Sequence, residues 1–340
     1  MDRQALSSTV PDRPRLIDSF GREVSYVRLS ITDRCDFRCV YCMSEKMEFL
    51  PRSDILSLEE IARVAQAFIE LGVSKIRLTG GEPLVRKGVL DLARSIGQIA
   101  GLGSLVMTTN GSRLADLAKD LRAAGVQRIN ISLDSLDSER FQKLTRVGDL
   151  QSVLSGIDAA CQAGFESVKL NAVVLRDRNH DEVVDLVRYA VERGLDISFI
   201  EEMPLGIVDE RTRGEEFYPS EAIRQDLLTA FELIPSTYFS GGPARYWQVA
   251  GHSTRVGFIS PHSQNFCGAC NRVRVTAEGR LLLCLGNEHS VDLRSVLRAS
   301  ESMDDLKQAI INAMALKPER HHFNIEAAPV IFRHMNLTGG

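Results

Sequence analysis

The stretch IELGVSKIRLTGG, residues 69–81, decides the fold. Its first residues close an apolar helical face. Gly72 stands where a left-handed residue ends a helix, and from Lys75 onward the period changes from helical to alternating. Upstream, Ser57 with Glu60 three residues later makes a capping-box pattern, and Ile61, Val64, Ala65 and Phe68 fall at helical spacing behind it. The same helix–glycine–strand unit recurs as LRAAGVQRINISLD (121–134), CQAGFESVKLNAVV (161–174) and VERGLDISFIEEM (191–203), with Gly125, Gly164 and Gly194 at the helix ends. YVRLSIT (26–32) in front and SLVMTTNG (104–111) between them complete six strands alternating with helices. That rhythm predicts a parallel sheet with right-handed crossovers.

Parallel strands of an open doubly wound sheet are apolar on both faces; these are not. Arg28, Ser30 and Thr32 alternate on the first, Lys75, Arg77 and Thr79 on the second, Asn130, Ser132 and Asp134 on the fourth, and Lys169 and Asn171 on the fifth. Each set lies on one side of its strand. The simplest geometry is α/β, an incomplete (β/α)6 TIM-like barrel with an open lumen. Arg28, Lys75, Arg77 and Lys169 give that lumen a cationic wall, which suits a multiply charged anion; a ring of salt bridges to neighbouring Asp and Glu is the plainer alternative. The rhythm stops after residue 204. The expected division is a flexible arm over 1–13, the barrel over 14–204, and a C-terminal region over 205–340. That last region should hold a helix near 219–230, a hairpin at RVRVTAEGRLLLC turning at Glu278-Gly279, and helices at about 292–299 and 303–315.

Composition bounds the function. Net charge is −4, with 44% hydrophobic and 25% charged residues, so nothing global draws the chain to nucleic acid or anionic lipid. No run approaches 18 apolar residues and the polar start lacks an apolar h-region, so neither a membrane span nor a secretory signal is expected. The seven cysteines fall into two trios, Cys35, Cys39, Cys42 and Cys267, Cys270, Cys284, with Cys161 alone. An odd, clustered set in a cytosolic-looking chain argues for metal rather than disulfides. Cys161 reads as a buried helical thiol. His321-His322 reads as a solvated loop, since adjacent side chains do not converge on one ion.

Cys35-x3-Cys39-x2-Cys42 directly follows the first strand. Three thiolates in eight residues can wrap an iron–sulfur cube but not saturate it, leaving one iron open for a small ligand. Barrel sites lie at the C-terminal ends of strands, where this motif falls. With an aromatic before the third cysteine, the motif resembles the radical S-adenosylmethionine signature. Gly80-Gly81-Glu82-Pro83, Thr108-Thr109-Asn110-Gly111, Ser132-Leu133-Asp134 and Met203 resemble that superfamily's cofactor-contacting elements, in order. The spacing of Cys267, Cys270 and Cys284 alone fits zinc, with His262 or His289 as fourth ligand. Asn271-Arg272-Val273-Arg274-Val275-Thr276 after the second of these cysteines changes the comparison. From about residue 14 to 340 the chain resembles the MoaA family, the GTP 3′,8-cyclases of molybdenum cofactor synthesis.

That resemblance implies two 4Fe–4S clusters, one per trio, with S-adenosylmethionine on the first and the purine of GTP on the second. It implies S-adenosylmethionine contacts at Tyr41, Gly81, Glu82, Ser132 and Met203, and GTP contacts at Arg28, Arg77, Thr108, Lys169, Arg272, Val273 and Arg274. Lys75 joins the GTP set from the strand periodicity. Arg28, Arg272, Arg274 and the terminal Gly339-Gly340 are the expected catalytic residues. The segment before Gly-Gly should dock through Ala327, Val330, Ile331 and Phe332, carrying the glycines into the site. The implied reaction gives (8S)-3′,8-cyclo-7,8-dihydro-GTP through a 5′-deoxyadenosyl radical. Expected partners are a flavodoxin- or ferredoxin-like electron donor, the next pathway enzyme MoaC (cyclic pyranopterin monophosphate synthase) and a second copy of the chain, in the cytoplasm.

Overall fold

The computed structural model describes residues 14–208, 213–325 and 331–339. The expected arm (1–13), Ala327, Val330 and Gly340 lie outside the described residues. Six strands, β1 (Tyr26–Ser30), β2 (Lys75–Thr79), β3 (Ser104–Thr109), β4 (Arg128–Ser132), β5 (Ser167–Val173) and β6 (Asp196–Ile200), pair in chain order, all parallel. Helices α1 (Leu58–Glu70), α2 (Val89–Gly97), α3 (Leu114–Ala123), α4 (Ser138–Thr145), α5 (Leu150–Gln162) and α6 (Val183–Glu192) follow between them. The Ser57/Glu60 capping box forms as read: Ser57 Oγ accepts from the Glu60 amide and Glu60 Oε2 from the Ser57 amide. Gly72, Gly125, Gly164 and Gly194 take φ between +64° and +100° at the helix ends.

Alternation sorts each strand into two faces. Val27, Leu29, Ile76, Leu78, Leu105, Met107, Ile129, Ile131, Leu170, Ala172, Ile197 and Phe199 point outward and are at most 2% exposed, forming with the helices one core around the barrel. The polar set faces the lumen.

Among the described residues the C-terminal region builds no separate sheet. Six further strands, β7 (Leu233–Ser236), β8 (Arg245–Val249), β9 (Arg255–Ile259), β10 (Arg272–Val275), β11 (Arg280–Leu282) and β12 (Ser290–Asp292), extend the barrel at both edges, in the order β12-β11-β10-β1-β2-β3-β4-β5-β6-β9-β8-β7. β10 runs parallel to β1 and β9 parallel to β6, so eight parallel strands curve round the lumen. The hairpin turns at Glu278-Gly279 as expected, with Gly279 at φ +86°, and helices form at Ser220–Leu228, Leu293–Ala299 and Met303–Met314.

Two local readings are corrected. Cys161 is exposed, not buried: the buried stripe of α5 runs Leu150, Val153, Gly156, Ile157, Ala160, and residue 161 falls at the edge of that stripe, in the helix's last turn. Phe332 is 67% exposed, whereas Ile331 is 2% exposed, bridges to Leu205 and accepts the Gly206 amide at 2.8 Å. The tail is held there by its backbone as much as by its apolar side chains.

Candidate active site

One cavity of about 340 Å³ occupies the lumen. It is lined by both cysteine trios and by Arg28, Tyr41, Lys75, Arg77, Gly81, Thr108, Ser132, Lys169, Met203, Arg272, Val273 and Arg274, so nearly all the expected site residues come together. Val273 is 1% exposed on the opposite face from its arginine neighbours, so its backbone is what it offers the lumen.

Strand register places the trios at opposite ends. Cys35, Cys39 and Cys42 follow the C-terminal end of β1. β10 starts level with the start of β1, Arg272 opposite Tyr26, so Cys267 and Cys270 precede it at the other end. β11 runs antiparallel, Leu282 opposite Arg274, and so delivers Cys284 to that same end. Five residues of β1 separate the two, about 13 Å along the strand.

Between them the cations are held by hydroxyl and carbonyl oxygens rather than by carboxylates. Arg77 donates through Nε to Tyr26 Oη at 2.5 Å, and through Nη1 to Thr108 Oγ1 at 2.8 Å and the Met107 carbonyl at 3.1 Å. Lys75 Nζ donates to the Ser240 carbonyl at 2.9 Å and Lys169 Nζ to Tyr246 Oη at 3.2 Å. The lumen carboxylates are engaged elsewhere: Asp196 with Arg255, Glu202 with Arg213, Asp134 with the Tyr41 hydroxyl at 2.6 Å and the Val173 amide at 2.8 Å. The alternative of a salt-bridge ring is therefore not what Lys75, Arg77 and Lys169 form. Burial, with Arg77, Arg128 and Lys169 nearby, lowers the Lys75 ammonium to about 8.

The tail closes this layer. The Gly339 carbonyl accepts from Arg28 Nε at 3.0 Å and Arg274 Nη1 at 2.6 Å. The short helix Met335–Thr338 sits against the first cysteine loop, its Met335 amide donating to the Cys42 carbonyl at 3.3 Å and Asn336 Nδ2 to the Asp33 carbonyl at 2.9 Å.

Glu82 does not line the cavity. At 1% exposure its carboxylate accepts from the Leu84 amide (2.9 Å), Thr109 Oγ1 (2.7 Å) and the Asn110 amide (2.6 Å), pinning the loop after β2 to the loop after β3. Burial nonetheless raises its carboxyl to about 7. His321 departs from the solvated reading: it lines the cavity, its ring 4.5 Å from that of Phe323, and burial lowers it to about 4. His322 is exposed. Sequence reasoning passed over Tyr26, Asn336 and Lys317, none of which stands in a recognisable motif. Lys317 is 2% exposed and its Nζ lies 3.5 Å from Cys270 Sγ.

Comparison with known proteins follows the same lines. Residues 29–190 match the Radical SAM superfamily model, and residues 195–323 match Molybdenum Cofactor Synthesis C. The fold resembles Streptococcus suis SuiB bound to S-adenosylmethionine at TM-score 0.63, covering 83% of this chain and 66% of that one; at 14% identity the likeness concerns fold alone. Fold and site define a radical S-adenosylmethionine enzyme. Curated relatives named GTP 3′,8-cyclase are 60% identical over 326 residues in Saccharophagus degradans and 61% identical over 327 residues in Pseudomonas putida strain W619. Each alignment covers 96% of this chain and 98% of the relative. The chain belongs to the GTP 3′,8-cyclase family. Its cofactors are two 4Fe–4S clusters and S-adenosylmethionine.

The donor sets fit such clusters. Burial pushes the Cys39 and Cys42 thiols up, Cys42 to about 12, and neighbouring Asp134 adds to both. A buried thiolate trio of this kind needs cations to hold it deprotonated. Burial also opposes ionisation of Cys270, yet Arg272 and Lys317 beside it bring its thiol below the ordinary range. Among the described residues no three His, Cys, Asp or Glu converge on a single-ion site. His262, a candidate fourth zinc ligand, has its Nε2 2.8 Å from the Glu202 carbonyl.

Proposed function

We propose that this chain converts GTP into (8S)-3′,8-cyclo-7,8-dihydroguanosine 5′-triphosphate, the first step of molybdenum cofactor synthesis. The observation that carries this reading is a single lumen with a cysteine trio at each end and a layer of arginine and lysine between them. When bound, the cluster at Cys35, Cys39 and Cys42 with S-adenosylmethionine supplies a 5′-deoxyadenosyl radical; the second cluster, at Cys267, Cys270 and Cys284, supplies an open iron for the purine. This chain's own residues bind and orient. Arg77, Thr108, Lys169 and Lys75 hold the nucleotide through charge-assisted hydrogen bonds, with Arg272 and the Val273 backbone toward its base. Arg28 and Arg274, fixed by the Gly339 carbonyl, present guanidinium groups where ribose C3′ meets guanine C8. Tyr41, Gly81, Ser132 and Met203 line the pocket of S-adenosylmethionine, and Glu82 acts on it through the loop that it anchors.

We place the barrel over 14–204 and the C-terminal region over 205–340 from the end of the helix–strand rhythm; the two matched models part slightly earlier, between 190 and 195. Family membership supports a flavodoxin- or ferredoxin-like reductant, delivery of product to MoaC, self-association as a homodimer, and a cytoplasmic setting; among the described residues no helix is long and apolar enough to cross a membrane. Anaerobic incubation of the reconstituted protein with S-adenosylmethionine, a reductant and a nucleotide tests the function. GTP should yield 5′-deoxyadenosine and cyclised nucleotide together, and ATP neither. Equal turnover of ATP, or cofactor cleavage that GTP does not promote, would overturn it.

A further inference from the structure

Tyr26 sits at the most highly charged point of the lumen. It is the first residue of β1, on the same inward face as Arg28, opposite Lys75 on β2 and Arg272 on β10, and it is 3% exposed. Its hydroxyl oxygen accepts from Arg77 Nε at 2.5 Å and from Arg28 Nη1 at 3.4 Å, while Lys75 Nζ stands 4.8 Å from the ring centroid. Among the described residues the charged groups facing it are cations: Arg28 from its own strand, Lys75 and Arg77 from β2, Arg272 and Arg274 from β10. β3 contributes neutral groups, Thr108 and the Met107 carbonyl, on the far side of Arg77. With two guanidinium donors on its oxygen, the phenol proton points into positive surroundings.

We propose that Tyr26 is the positioning residue of this cation layer. Its oxygen holds Arg28 and Arg77 in register for the nucleotide and serves as their counter-ion until the phosphates arrive, when it takes a proton from solvent. The proposal rests on the reading of the lumen as the GTP site. No bond to the nucleotide forms and nothing is oxidised; the phenolate oxygen gains a proton. The electrostatics agree. Burial opposes ionisation, but Arg77, Arg28 and Lys75 outweigh it and bring the phenol down to about 6. Those cations therefore favour the ionised phenol in the empty lumen. A triphosphate among the same cations removes the excess positive potential that stabilised it, and the phenol reverts toward its ordinary range.

The test uses anaerobically reconstituted holoenzyme and Tyr26→Phe, which keeps the ring beside Lys75 and removes only the hydroxyl. Titrating wild type with GTP at neutral pH should abolish an ultraviolet difference signal of phenolate. Guanosine, without phosphates, should leave that signal in place, and the variant should show none. The variant should bind GTP about tenfold more weakly, the loss of one charged hydrogen bond, with S-adenosylmethionine binding unchanged. A wild-type titration that saturates with GTP but shows no loss of phenolate would overturn the proposal, as would equal GTP affinity in the two proteins. Wild type that binds no GTP would instead sink the functional reading itself. Should the variant fail to fold, the wild-type comparison of GTP with guanosine decides alone.

Discussion

Replacing Gly339 by Ala tests whether the tail is a working part of the site. Gly339 adopts φ +75°, a left-handed conformation, and a Cβ built there would lie 2.6 Å from Thr79 Cγ2. Thr79 is 2% exposed on β2 and has no room to retreat. The left-handed conformation alone costs a residue with a Cβ about 1–2 kcal/mol, and the methyl contact adds to that. The ratio of docked to undocked tail should therefore fall at least five- to thirtyfold. What is lost with docking is specific: the Gly339 carbonyl that fixes Arg28 and Arg274, and the Asn336 and Met335 bonds to the first cysteine loop. Amide hydrogen exchange over 335–339 in the holoenzyme should show protection reduced by that factor. Cofactor cleavage should continue while the yield of cyclised nucleotide drops. Thr79→Ser in the same chain removes the offending methyl and should recover the clash component but not the backbone strain. Unchanged protection together with full product in Gly339→Ala would refute the reasoning.

Loss of Cys35, Cys39 or Cys42 to Ala should abolish S-adenosylmethionine cleavage, whereas loss of Cys267, Cys270 or Cys284 should impair GTP binding and cyclisation yet keep uncoupled cleavage; 5′-deoxyadenosine and product measured side by side distinguish the two, and equal loss in both sets would break the division of labour. Arg77→Met removes a guanidinium with three hydrogen bonds, and since a charged bond is worth about 1.5–3 kcal/mol, GTP affinity by equilibrium binding should weaken about ten- to a hundredfold. GTP affinity should also show a step down as pH rises through about 8, where burial makes Lys75 lose its proton; Lys75→Arg, which stays charged there, should remove that step while leaving the fall that Tyr26 imposes from about 6, and an unchanged step would remove Lys75 from the phosphate site.

What was legible follows from range in sequence. The six-strand rhythm is local: each glycine stop, capping residue and alternating strand is written within about fifteen residues, and β1 to β6 pair in that order. Lys75 and Arg77 were legible because period two survives burial when a lumen is polar. Glu82 was placed beside the cofactor by its motif, but its two oxygens face three donors inside the protein, a satisfaction count that no motif expresses. Tyr26 escaped because an aromatic at the start of a strand reads as core, though it shares the inward face of Arg28. His321 escaped because flanking charges masked the aromatic wall of Phe266 and Phe323.

The least legible feature is also the one with most consequence. Nothing local says that Arg272–Val275 joins the edge of β1, more than 240 residues away in the chain. Yet its pattern, with Arg272 and Arg274 on one face and Val273 and Val275 buried on the other, repeats the polar-in, apolar-out signature of the barrel strands. Parallel pairing then leaves no freedom. A trio following β1 and a trio flanking the start of β10 must lie at opposite ends of the same strand pair, and the arginines of both strands must share one face, Arg28 level with Arg274. The length between the two sites is set by five residues of β1. Lengthening it would pull the base-side cysteines away from the radical end without touching either trio.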